Sequence, residues 1–117
     1  MQDYRNLRVW QKAHALTLAV YQATAAFPAD ERFGLTIQLR RIATLIPTNV
    51  ADGCGRNTDV EFHKALSAAQ SAASQLDYLL LLAHDLGFLP AQEHARLGGE
   101  LVEVRKMLAG LTHSLQG

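Results

Sequence analysis

The chain has 117 residues, 49% of them hydrophobic, and its eleven Lys and Arg balance eleven Asp and Glu. That length suits one core and excludes two, so residues 1–117 are expected to form one domain, while zero net charge excludes a whole-molecule attraction to nucleic acid or to an anionic membrane and leaves only local patches for either. A lone Cys54 excludes an internal disulfide, and neither the opening "MQDYRNLRVW" nor the longest apolar run, Leu79 to Ala83, has the length of a signal or membrane segment, so a cytoplasmic protein with no membrane partner is expected.

The first predicted helix covers Tyr4 to Ala26, where Val9, Ala13, Leu16 and Val20 form an apolar stripe and Phe27-Pro28 ends the segment. Arg5, Arg8 and Lys12 fall on one face of it, and Tyr4 to Phe27 contains no acid. The second helix begins near Gly34, carries Leu35, Leu39, Ile42, Ile46 and Val50 on its stripe, and is expected to stop at Gly53 and Gly55.

Pro47 sits inside that second stripe. Were it to open a new helix, Ile46 would be the N-cap, and isoleucine has no side-chain oxygen for the free amides. The stripe also keeps phase across the proline, so one helix kinked at Pro47 is expected, with the Ala43 carbonyl deprived of its amide partner. Thr44, Thr48 and Asn49 are the nearby side chains that could satisfy loosened backbone groups. The kink reads as a bend around the core rather than as a ligand site.

The third helix has a capping-box start in "TDVE", with Thr58 at the N-cap and Glu61 at N3, and Gly87 supplies a left-handed C-cap. Its stripe runs through Phe62, Leu66, Ala69, Ala73, Leu76, Leu80 and Ala83. The fourth follows Pro90, with Leu97, Leu101, Val104, Leu108, Leu111 and Leu115 at near-heptad spacing. Short connections make the expected fold all-α, an up-and-down antiparallel four-helix bundle.

The stretches "YRNLRVWQKA", "GLTIQLRRIATLIPTNVADGCGR" and "EFHKAL" with "QLDYLLLLAHDLGFL" resemble the four-helix-bundle family encoded in intervening sequences of bacterial 23S ribosomal RNA genes. The most specific part is Gln38, Leu39, Arg40, Arg41, then Ile46, Pro47, Asn49, Ala51, Gly53, Gly55 and Arg56, which fits Q-L-R-R followed by I-P-x-N-x-A-x-G-x-G-R. The resemblance implies a homopentameric ring. Accessory proteins of diversity-generating retroelements look similar, and those are basic and bind nucleic acid and a reverse transcriptase. This chain departs from the pattern at Asp52, where glutamate is usual, and at Gln75 and Asp77, where a Glu-x-Glu pair is common.

Two functional surfaces follow. The cations Arg5, Arg8, Lys12, Arg40, Arg41 and Arg56 are the candidate nucleic-acid footprint, for RNA, DNA or a nucleic-acid-processing protein. Leu79, Leu80, Leu81 and Leu82 turn by about 100° each, too wide an arc for one core, and are the candidate interface between subunits of a homo-oligomer. Catalysis finds no foothold. The residues three before His14, His63, His84, His94 and His113 are Gln11, Val60, Leu81, Ala91 and Gly110, so the di-iron bundle motif is absent. "GCGRNT" lacks the third glycine of a dinucleotide loop, and Cys54 has no histidine at a telling spacing. The expectation is a non-enzymatic scaffold without cofactor or metal, or else a protein interaction module that does not bind nucleic acid.

Overall fold

Helix α1 spans Arg8–Thr24 and is preceded by a separate 3-10 turn, Tyr4–Asn6, so it begins one turn later than its periodicity predicts. The cause is Asp3, whose carboxylate accepts the Arg5 amide at 3.0 Å and caps a short turn that Leu7 then leaves in extended backbone. The computed structural model describes residues 3–116. After α1 a second 3-10 turn, Ala29–Glu31, was not foreseen from the periodicity. It brings the Glu31 carboxylate to within 3.0 Å of the Leu35 amide, capping α2 (Leu35–Cys54) where Gly34 has no side chain to do so.

Helix α3 (Asp59–Asp85) starts as predicted, with the Thr58 hydroxyl accepting the Glu61 amide at 3.2 Å. The reciprocal arm of the capping box is not formed, because the Glu61 carboxylate turns to Lys64 at 3.5 Å. At the far end Gly87 has φ 83°, its amide donates to the His84 carbonyl, and the Phe88 amide donates to the Ala83 carbonyl. This pair of bonds is a Schellman cap, available to glycine because the left-handed backbone excludes most side chains. Helix α4 (Ala91–Gln116) follows Pro90.

Each helix packs on its two neighbours in the square, α1 on α2 and α4, and α3 on α2 and α4. The predicted stripes form the shared core: Leu16 and Val20, Leu39, Ile46 and Val50, Leu66 and Leu76, and Leu97, Leu101 and Leu108 are all nearly inaccessible. Among the described residues there is no strand.

Helix α2 runs unbroken through Pro47. The Ala43 carbonyl, which Pro47 cannot supply with an amide, instead accepts the Thr17 hydroxyl of α1 at 3.1 Å. The same hydroxyl lies 2.9 Å from the Ala13 carbonyl of its own helix, so its single proton is shared between two helices. The anticipated helpers act elsewhere: Thr44 donates to the Arg40 carbonyl and Asn49 to the Leu45 carbonyl, each one turn back on α2, while Thr48 is exposed.

The two glycines expected to stop α2 have different roles. Gly53 lies inside the helix and is buried, and a Cβ there would stand 2.7 Å from the Phe62 ring of α3. It permits close approach of two helices. Gly55 is the C-cap with an ordinary φ of −86°. Gly53→Ala is therefore expected to destabilise the bundle by about 1–2 kcal/mol, overpacking outweighing a propensity gain of about 1 kcal/mol. Gly55→Ala, whose Cβ would meet only the Asp52 carbonyl at 3.5 Å, is expected to leave stability nearly unchanged. Urea denaturation of the two variants checks both statements.

Candidate functional surfaces

The six candidate cations do not converge. Arg5 is outside α1, paired with Asp3 at 3.2 Å and lying over the Tyr4 ring. Arg56 binds both carboxylate oxygens of Asp52, at 3.0 and 3.1 Å. Arg40 is half-buried: its Nε donates to the Thr24 hydroxyl at 2.9 Å, an Nη donates to the Tyr21 carbonyl at 3.2 Å, and the guanidinium lies 4.7 Å from the Tyr21 ring centroid. It closes the carbonyl end of α1, where a cation is favoured. Arg8, Lys12 and Arg41 are exposed and form no ion pair among the described residues. The three-cation face expected on α1 is thus a two-cation face, because the cap at Asp3 takes Arg5 out of the helix.

An aromatic groove of about 500 Å³ lies between α1 and α2 beside Pro47, lined by Tyr4, Trp10, His14 and Tyr21 with Thr17 and Pro47 at its floor side. Trp10 and His14 stack at 5.0 Å with an 8° interplanar angle, and Tyr4 meets Trp10 edge-on at 4.9 Å. Arg8 and Lys12 stand two residues either side of Trp10, about 160° round the helix axis from it. The free cations of α1 and its aromatic residues therefore face different directions, unlike the interleaved arrangement of single-strand binders.

The four consecutive leucines are divided. Leu80 is core, at 2% exposure, Leu79 and Leu82 are half-buried against it, and Leu81 is 45% exposed. The expectation is corrected for Leu80, which belongs to the core because α3 packs between α2 and α4, while Leu81 remains at the surface. Leu79 also borders a groove of about 440 Å³ between α2 and α3, with Gln38, Arg41, Ile42, Gln75 and Tyr78. Tyr78 is 61% exposed, and Ile37 and Leu45 of α2 are exposed as well. Sequence periodicity could have marked Tyr78, a large aromatic off the apolar stripe.

Cys54 is buried in the core, and burial pushes its thiol above the ordinary range, with the Asp3 charge adding to the effect. The raised value favours the neutral thiol in the fold. A thiol reagent at pH 7 is accordingly expected to label Cys54 far more slowly in buffer than in denaturant, a difference readable by absorbance. His84 and His94 were not linked by the sequence pattern, yet their rings stack at 4.8 Å, and His84 Nδ1–H donates to the Leu89 carbonyl at 3.0 Å, tying down the α3–α4 connection. Among the described residues no group of three or more His, Cys, Asp or Glu could hold a metal ion, and no helix is long and apolar enough to cross a membrane.

Connectivity, core and the continuous proline-bearing helix define a small antiparallel four-helix bundle. Residues 5–110 match the 23S rRNA-intervening sequence protein family, and the chain belongs to it. A crystal structure of a protein of unknown function from the S23 ribosomal protein family of Bacteroides thetaiotaomicron has the same fold, with a TM-score of 0.80 at 18% identity over 89% of this chain and 97% of that one. No curated protein matches the chain.

Proposed function

We propose that this chain is a non-enzymatic scaffold of the cytoplasm that associates with copies of itself and works with nucleic acid or with a nucleic-acid enzyme. The observation that carries the self-association is the outer face of α2 and α3, where the exposed Tyr78 lines a groove with Ile42 and Leu79, and Ile37 and Leu45 of α2 are exposed as well. Such a face loses apolar area to water when a second subunit covers it. The family resemblance implies that the assembly is a homopentameric ring, in which any cationic patch is repeated by symmetry.

A second reading, a protein interaction module without nucleic-acid binding, is favoured by the internal use of Arg5, Arg40 and Arg56. Light scattering tests the assembly. The expected mass is five times the 12.8 kDa of one chain, and Tyr78→Asp is expected to give smaller species by placing an unpaired charge in the interface. A monomeric wild type, or an unchanged mass for Tyr78→Asp, would remove the support this face gives.

A further inference from the structure

Between α3 and α4 runs an open recess of about 620 Å³, floored in part by the apolar Val102 and Ala109, whose polar lining is Gln70, Ser71, Ser74, Arg105 and Lys106. Past Gln70 and Ala109 it continues into a second recess of about 420 Å³ that adds Ser67, Thr112 and His113. No carboxylate lines either part. Asp77, the next acid along α3, is exposed and forms no ion pair among the described residues.

Arg105 is the centre of this recess. Its Nη2 donates to the Ser74 hydroxyl at 3.2 Å, and its backbone carbonyl accepts the Gln70 amide at 3.0 Å, so α3 holds it at both ends. Arg5, Arg56 and Arg96 each meet a carboxylate, and Arg40 ends on a backbone carbonyl and a hydroxyl. Arg105 is half-buried and meets one hydroxyl, although a guanidinium has five N–H donors. A partly desolvated cation left without a counter-charge is unfavourable, and it attracts an anion that can restore the lost solvation. Lys106 beside it adds a second positive charge.

We propose that the α3–α4 recess, through Arg105, Lys106 and the hydroxyls of Ser67, Ser71, Ser74 and Thr112, holds two successive phosphates of a nucleic-acid backbone. Hydroxyl, amide and guanidinium donors are the groups that bind phosphate oxygens without reading sequence. From Ser67 to Ser74 the wall rises about 10 Å along α3, longer than one small anion requires. No Phe, Tyr or Trp side chain lines it, so its contacts are with the backbone rather than with stacked bases. The inference rests on the nucleic-acid part of the function proposed above and moves the footprint from α1 to the opposite pair of helices.

The test is fluorescence-anisotropy titration of the full chain with a labelled single-stranded oligonucleotide, as RNA and as DNA, between about 50 and 200 mM salt. The double variant Arg105→Gln with Lys106→Gln is expected to lose at least about tenfold in affinity at low salt and to flatten the salt dependence by about 1.4 log units per log unit for each recess engaged. The double variant Arg8→Gln with Lys12→Gln is expected to bind as the wild type does. Lys106→Gln alone, at an exposed position, keeps the test valid if the double variant folds poorly, and should give about half the change in slope. Wild-type binding that survives both recess variants unchanged overturns the inference and leaves the nucleic-acid reading standing. A wild type that binds neither RNA nor DNA at low salt overturns both. Displacement of the oligonucleotide by polyglutamate at equal charge concentration would assign the recess to an acidic protein instead, which also overturns it.

Discussion

Thr17→Val is expected to lower the stability of the bundle by about 1–3 kcal/mol, the penalty for leaving a buried carbonyl without a donor. Valine preserves shape, and the Ala13 carbonyl keeps its helical position, so the loss falls on Ala43, whose other donor Pro47 has removed. The claim has an internal control. In a Pro47→Ala background residue 47 regains an amide for the Ala43 carbonyl, and Thr17→Val should then be less damaging by about 1 kcal/mol in a double-mutant cycle. Pro47→Ala alone is expected not to stabilise, because straightening α2 would displace the buried Ile46 and Val50. Additive effects in urea denaturation would show that Thr17 and Pro47 act independently.

Arg40→Met is expected to cost about 1.5–3 kcal/mol, since its guanidinium makes charge-assisted bonds to the Thr24 hydroxyl and the Tyr21 carbonyl while lying over the Tyr21 ring. Arg40→Lys should recover little of this, because an ammonium cannot reproduce both the forked donors and the stacked plane. Oligonucleotide binding by the folded fraction should be unaffected. Full stability with reduced binding would return Arg40 to the nucleic-acid footprint in which its place beside Arg41 first put it.

The stripes of all four helices, the Thr58 and Gly87 caps and the passage of α2 through Pro47 were legible because each depends on residues a few positions apart. What was hidden depends on distance along the chain. The partner of the Ala43 carbonyl is 26 residues from it, the Ser74 hydroxyl that holds Arg105 is 31 residues away, and the aromatic groove draws its walls from Tyr4, from the length of α1 and from the second half of α2. The start of α1 failed for a local reason, since the Asp3 cap opens a separate turn that Leu7 leaves in extended backbone before Arg8 begins the helix. The cationic surface was the least legible part. A list of arginines cannot distinguish Arg40, spent on carbonyl oxygen, from Arg41, which faces solvent.

The hydroxyl shared between Ala13 and Ala43 also sets an order of events. An isolated α2 would carry a step in its ladder that no residue of its own repairs, so the segment around Pro47 gains its full complement of bonds only once α1 is alongside. The first two helices are thereby expected to condense as one hairpin in the folding transition state, with Thr17→Val slowing refolding rather than hastening unfolding. A stopped-flow chevron for that variant, set beside one for Leu108→Ala in the last helix, reads out the difference as a displaced folding limb.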